Sequence, residues 1–262
     1  MQKEQERKVL YYSDELNDDF AGTNIVQKKL PDDFEYINKS VFFKIGTFLI
    51  RLIAVPAIFL MTKIIYHQKF VNKRALKRAK KSGYFIYGNH TNGMLDAYIP
   101  TLLTFPKKSY IIVNPDATSI KGIASIVMML GALPLPNNTG LPLKFISAIR
   151  KRINEKSVVA IYPEAHIWPY YTDIRNFKAD SFMYPTDTSK PVFSFTNVYK
   201  KRRFGKRPKV ITYIDGPFYP HDDLSKRENM QMLRDSVYNA MKKRILSNPT
   251  YKYKYIYVKK ED

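Results

Sequence analysis

Cysteine is absent from this 262-residue chain, and with it go disulfides, thiolate metal sites and cysteine nucleophiles. The absence fits a reducing compartment. Histidine is nearly as scarce, with four residues and none in a ligand-spaced cluster. Neither a metal nor another bound cofactor is expected, and His166 is as readily structural as functional. The N-terminus lacks an apolar run followed by a cleavage site, so no secretory signal is expected. Acids are few, 23 against 44 lysines and arginines, for a net charge of +21. The shortfall is uneven: residues 1–38 hold nine acids and five bases, a net of −4, which leaves +25 on the other 224. Such a balance calls for an anionic partner. Charge alone does not rank nucleic acid, anionic lipid and an acidic carrier protein, but no nucleic-acid module is recognisable and nucleic acid is not expected.

What the chain does contain is enough apolar material, 45%, for one large domain or one domain with an appendage. Residues 1–38 read as a polar arm, extended or in short helices, laid on the rest. From Val41 to Tyr66 the sequence turns strongly apolar, interrupted by Lys44, Arg51, Lys63 and Pro56. Its longest uncharged run, Leu52 to Thr62, is eleven residues, short of the roughly 20 that cross a bilayer. That predicts an interfacial or re-entrant helix hairpin with snorkelling cations. A helix packed across the core is the plainer alternative. Lys69 to Lys81 follows with seven bases and no acid, and Phe70, Val71, Ala75, Leu76 and Ala79 supply the apolar face of an amphipathic helix. Such a helix suits an anionic membrane surface, or simply solvent. Residues 39–82 are therefore expected as membrane-associating helices ahead of an α/β domain over 83–262.

That domain is organised around Gly88-Asn89-His90-Thr91-Asn92-Gly93-Met94-Leu95-Asp96 and Tyr162-Pro163-Glu164. Tyr84 to Tyr87 reads as a buried strand and Leu95 to Phe105 as a helix, so His90 sits on a strand-to-helix turn, where open α/β sheets hold ligands. On a continuous helix, His90 and Asp96 would point to different faces. They meet only if the loop folds back, which Asn92-Gly93 permits, and Asp96 is then expected to open the helix as its N-cap. A carboxylate against an imidazole fixes the tautomer and makes the far nitrogen a better proton acceptor, a general-base pair. Helix capping alone would also explain these residue types. Glu164 ends the strand Ser157 to Tyr162 and shares an edge with His90 if the strands are parallel, placed to bind an acceptor's hydroxyls or to shape the site.

The remaining pattern alternates. Ser109 to Val113 reads as a strand, Lys121 to Leu130 as a helix with a turn at Gly131, Pro134 to Gly140 as a loop and Leu143 to Ile153 as a helix. Strands at Pro191 to Phe195 and Lys209 to Ile214 flank an exposed tip, Lys200 to Lys209, with seven bases, suited to a membrane or carrier contact. Asp215-Gly216-Pro217 reads as a turn, Ser225 to Glu228 as the capping box of a helix, and Tyr251 to Tyr255 as an edge strand. Trp168-Pro169-Tyr170-Tyr171 and Phe182-Met183-Tyr184 form an aromatic edge, more readily core than acyl groove. The fold class expected is layered α/β, with a mixed, largely parallel sheet flanked by helices and an N-terminal apolar, membrane-associating helical segment.

The order of these motifs resembles the glycerolipid acyltransferase family, best known for the lysophosphatidic acid (1-acyl-glycerol-3-phosphate) acyltransferases. The family's first block, His-x4-Asp preceded by Asn or His, is matched by Asn89-His90 and Asp96 with one extra intervening residue. The third block, a strand ending Phe-Pro-Glu-Gly-Thr-Arg, is matched by Val158 to Glu164. Gly131-Ala132-Leu133-Pro134 falls at the second block and Lys190-Pro191-Val192-Phe193 at the fourth. In the family, the second block ends in Arg and the third continues Gly-Thr-Arg, cations thought to hold the acceptor's phosphate. Here Glu164 is followed by Ala165-His166-Ile167-Trp168 and no Arg follows Leu133 before Arg150, which leaves Arg175 and Lys178 to substitute. The resemblance implies a membrane-associated O-acyltransferase on the cytoplasmic face of the cell membrane, peripheral or monotopic. It would move a fatty acyl group from acyl-CoA or acyl carrier protein to a lysophospholipid such as 1-acyl-glycerol-3-phosphate, giving phosphatidic acid. His90 and Asp96 would be its catalytic pair, with Asn89, Glu164, Arg175 and Lys178 on the substrate. A different lipid or glycolipid acceptor, or a catalytically silent protein that binds anionic membranes, are the alternatives.

Overall fold

The computed structural model describes residues 7–22, 29–119 and 122–260. The outer and middle parts of the expected arm (1–6 and 23–28), the Lys121 start of a helix and the last two residues lie outside the described residues. In chain order, β1 (Lys8–Tyr12) precedes the long helix α1 (Val41–Tyr66), β2 (Lys69–Val71) and a 3-10 turn over Lys73–Ala79. β3 (Tyr84–Gly88) runs into the short helices α2 (Gly93–Asp96) and α3 (Ile99–Thr104). Then come β4 (Ser109–Val113), α4 (Ala124–Leu130), β5 (Ala132–Pro134), α5 (Pro142–Asn154) and β6 (Val158–Ile161). The chain closes with α6 (Met183–Thr188), β7 (Val192–Lys200), β8 (Lys209–Phe218), α7 (Lys226–Leu246) and β9 (Tyr255–Lys259).

Seven strands form one sheet in the order β2-β8-β7-β3-β6-β4-β5. β7, β3, β6, β4 and β5 run parallel, β8 runs antiparallel to β7, and β2 follows β8. This is the mixed, largely parallel sheet that the alternating pattern predicts. Strands covered on both faces lose the in-out alternation of a one-sided sheet, and Tyr84, Phe85, Ile86 and Tyr87 are all buried. α5, α7 and the arm cover one face through Phe145, Ile149, Leu233, Val237 and Leu30. α3, the 3-10 turn and the end of α1 cover the other through Ile99, Leu103, Leu76 and Tyr66. Each such side chain contributes about 1.5–3 kcal/mol. Parallel pairing brings the C-terminal ends of β3, β6 and β7 to one edge, where Tyr87 faces Ile161 and Gly88 faces Phe195. A Cβ at Gly88 would stand 2.1 Å from the Phe195 ring, so a larger residue here would have to displace that ring.

α1 departs from the expected hairpin. It is one helix of 26 residues that continues through Pro56, about 39 Å long. Proline removes a single backbone bond, while Ser40 caps the start, His67 ends the helix in a left-handed conformation and α4 packs along it. Charges interrupted the apolar run in the sequence without interrupting the helix. By length and composition α1 is able to cross a membrane. Of its residues only Thr62 and Tyr66 are buried, and Phe42, Phe48 and Ile53 are 87%, 67% and 73% exposed.

Other elements differ locally. Lys69 to Lys81 is not an amphipathic α-helix. Phe70 pairs opposite Thr212 of β8, and Ala75, Leu76 and Ala79 turn inward from the 3-10 turn, leaving Lys77 and Arg78 outside. The helix expected over Leu95 to Phe105 splits in two after Asp96, because Pro100 has no N–H to give the Asp96 carbonyl four residues back. β8 runs through Asp215-Gly216-Pro217 to Phe218 with a register shift opposite Val192 and Ser194, and Gly216 at φ +109° takes the bend within the strand. Tyr251 to Tyr253 lie outside any strand, and β9 starts at Tyr255 to pair in parallel with β1, apart from the main sheet.

Candidate active site

Asn92, not Asp96, caps α2: its Oδ1 accepts the Leu95 N–H at 3.1 Å. Asp96 stands at the far end of that single turn and reaches back, its Oδ2 accepting the Asn92 N–H at 2.8 Å and meeting His90 Nδ1 at 2.9 Å. The loop folds back with Asn92 in an extended conformation and Gly93 already helical, not through a left-handed turn, and the additional residue between His90 and Asp96 does not part them. Asp96 is buried, whereas the His90 side chain keeps 17% of its surface exposed. With Nδ1 held by the carboxylate, Nε2 is the nitrogen left for a reactant. Burial pushes the Asp96 carboxyl up, and the bonds from the His90 ring and the Asn92 N–H pull it back.

Two tyrosines frame this pair. Tyr162, at the end of β6, stacks on the imidazole with centroids 4.5 Å apart and donates its hydroxyl to the Asp96 carbonyl at 2.5 Å. Tyr199, on β7, donates to the Thr91 carbonyl at 3.0 Å. Burial holds both phenols far above their ordinary range, so both act as neutral donors.

Glu164 lies on the edge that parallel strands predict, but it faces the backbone of the turn. Its Oε2 accepts the His90 N–H at 2.9 Å and its Oε1 the Arg175 N–H at 3.1 Å. The Arg175 guanidinium stands 3.4 Å from Oε2, both side chains fully buried. Burial pushes the Glu164 carboxyl up, opposed chiefly by Arg175. Arg175 also donates to the His166 carbonyl and lies over the Trp168 ring. Its guanidinium, expected on the substrate, is thus buried against these groups of its own chain. Asn89 is buried too, exchanging bonds of 2.8 and 3.1 Å with the Asn197 backbone and pinning the turn to β7. Lys178 is exposed, its charge acting on Asp14 of the arm. Of the six residues expected, His90, Asp96 and Glu164 come together at the turn, Asn89 and Arg175 buttress it from within, and Lys178 stands at the surface. Ala165, where the resembled block has glycine, keeps a left-handed φ of +63°, a conformation that costs a non-glycine residue roughly 1 kcal/mol or more.

The sequence reading missed a buried polar chain behind Asp96. Asn197 Nδ2 faces Asp96 Oδ1 at 3.4 Å, Thr212 Oγ1 donates to Asn197 Oδ1 at 2.6 Å, and Gln68 Nε2 donates to Thr212 Oγ1 at 2.6 Å. Gln68 lies just past α1, and Lys63 of that helix donates to its carbonyl at 2.8 Å. The available signal was Asn197 in the midst of an apolar strand, a buried amide that demands partners. The aromatic edge is a brace, not a ligand wall. Trp168 is buried among Tyr12, Phe20, Tyr171 and Tyr257, its indole donates to the Asp18 carbonyl at 2.7 Å, and its backbone N–H donates to the His90 carbonyl at 3.2 Å. A cavity of about 520 Å³ lies elsewhere, between the arm, α4 and Tyr110. Among the described residues no cluster of three or more histidines and carboxylates could hold a metal.

No protein-family model matches the chain, and no curated protein does. Among solved structures, the chain is similar to the crystal structure of the 1-acyl-sn-glycerophosphate (LPA) acyltransferase PlsC from Thermotoga maritima, with a TM-score of 0.55 and 18% identity over 80% of this chain and 89% of that one. The fold of this chain is therefore that of an LPA acyltransferase of known structure.

Proposed function

We propose that this protein transfers a fatty acyl group from a thioester, acyl-CoA or an acyl carrier protein, to the hydroxyl of a membrane lipid, with α1 seated in the lipid at the cytoplasmic face. The observation that carries the reading is the 2.9 Å contact between His90 Nδ1 and the buried Asp96 carboxylate, set in a fold shared with an acyltransferase. Asp96 accepts a hydrogen bond from Nδ1–H, which fixes the tautomer and leaves the lone pair on Nε2. The lipid hydroxyl gives its proton to Nε2 as its oxygen attacks the thioester carbonyl. The tetrahedral adduct collapses with cleavage of the carbon–sulfur bond, and the departing sulfur takes the proton from Nε2. No covalent enzyme intermediate is needed, and the imidazole returns to its starting state. Glu164, Tyr162 and Asn89 hold the turn that carries His90, as the contacts above describe.

The resemblance points to 1-acyl-glycerol-3-phosphate as acceptor. One observation favours a second reading, a lipid or glycolipid hydroxyl lacking a phosphomonoester: Arg175, the first Lys or Arg after the third block, is committed inside the protein to Glu164 and His166.

A positioned base contributes about 10² to 10⁴ in rate. Purified His90→Ala is expected to lose acyl transfer by that factor on a panel of radiolabelled lysolipid acceptors, with an unchanged far-UV spectrum. Wild-type turnover in the variant would sink the mechanism, and no turnover by the native protein on any acceptor would promote the silent membrane-binding reading.

A further inference from the structure

We infer that the hairpin between β7 and β8 is a second contact with an anionic bilayer, set on the same edge of the sheet as His90. The inference rests on the membrane reading above and adds a partner surface that α1 does not supply. β7 runs parallel to β3 and overshoots it, from Phe195 opposite Gly88 to Lys200. The hairpin tip therefore begins one residue past Tyr199, whose hydroxyl bonds Thr91 beside His90. Across Lys200–Lys209 there are seven bases and no acid. Lys201, Arg203, Lys206 and Arg207 are all exposed. At the tip Phe204 is 76% exposed with the Arg203 guanidinium over its ring. An apolar side chain among cations is the composition of an interfacial element, the ring entering the acyl boundary and the cations meeting phosphates.

The chosen occupant is a bilayer because the hairpin is continuous with α1. Arg207 lies over the ring of Tyr66, at the end of that helix, 5.9 Å from its centroid, and the Tyr66 hydroxyl contacts Met94 of α2 at 3.6 Å. Around the last turns of α1, Phe59, Leu60 and Ile64 are exposed. The exposed apolar surface of α1, the basic tip and the His90 turn thus follow one another along a single rim. A lipid acceptor could then reach Nε2 without leaving the membrane.

The test uses the full chain with vesicles of phosphatidylcholine alone and of phosphatidylcholine with phosphatidylglycerol. Replacing Lys201, Arg203, Lys206 and Arg207 together by Ala is expected to lower affinity for the phosphatidylglycerol vesicles by at least about tenfold, and to leave affinity for the neutral vesicles unchanged. Phe204→Trp is expected to be quenched by brominated acyl chains, against an unquenched background from buried Trp168. If the native chain sediments with vesicles but Trp at 204 is not quenched, the hairpin has no membrane role and the inference falls while the membrane reading stands. If the native chain sediments with neither vesicle, the membrane reading itself falls. If the fourfold variant keeps vesicle affinity and loses binding to an acyl carrier protein, the hairpin is a protein dock and the inference is overturned.

Discussion

An imidazole oriented by a carboxylate works as a base only while that carboxylate is charged. Burial raises the Asp96 pKa in the fold, so between its unfolded and folded values the native chain holds a proton that the unfolded chain releases. In that window, falling pH favours the folded state as far as Asp96 is concerned, and the contribution is lost as pH rises through the folded value. Catalysis moves the opposite way, since a protonated Asp96 no longer holds Nδ1–H with a charged acceptor. On acidification kcat/KM should therefore fall before the far-UV spectrum changes. Coincident loss of both would show that acid inactivation is unfolding. At this scale much was legible from spacing alone: His90, Asp96 and Glu164 gather as the motif order predicts. What was not legible is whether a polar group faces solvent or its own chain. Asn89 and Arg175 have the chemistry of substrate ligands, yet each turns its side chain to partners inside the protein, the Asn197 backbone for one and Glu164 with the His166 carbonyl for the other.

Among elements, the ones foreseen are those whose reason is local. β3 and β6 are unbroken apolar runs, and α7 opens with the Ser225–Glu228 capping box that the structure contains. The ones misjudged depend on distant partners. The strand β5 exists because Ile111 to Val113 lie beside it, and β9 because β1 does. The chain of Gln68, Thr212 and Asn197 is of the same kind, joining the end of α1 to Asp96 across three elements. Thr212→Val keeps the shape and removes the hydroxyl, leaving Gln68 Nε2 and Asn197 Oδ1 buried without their partner. The expected cost is about 1–3 kcal/mol in urea unfolding. Turnover is expected to fall with little change in KM, as Asn197 loosens its hold on Asp96. A variant as stable and active as the native protein would show that the chain is passive packing.

For the molecule as a whole, the charge imbalance and the basic Lys200–Lys209 tip were readable, and the tip's place beside the end of α1 was not. The net of +25 beyond residue 38 includes the basic β7–β8 tip, which stands beside the end of a helix that leaves Phe42, Phe48 and Ile53 exposed. A charge placed on α1 tests what covers it. Ile53→Glu is expected to cost about 2.5–3.5 kcal/mol at the centre of a membrane-embedded helix, a drop on the order of a hundredfold in vesicle partitioning, with the fold intact by far-UV spectroscopy. Unchanged partitioning would place α1 outside the lipid.

The pairing of β1 with β9 carries a temporal consequence. Tyr257 of β9 stacks on Trp168, and its hydroxyl donates to the Pro169 carbonyl at 2.8 Å. The segment it braces is the one that steadies the His90 carbonyl. During synthesis the first strand must wait for the last before this brace can close. The helix α1 thus leaves the ribosome long before β9 exists to pair with β1, and the His90 turn receives this last brace only after β9 has been made.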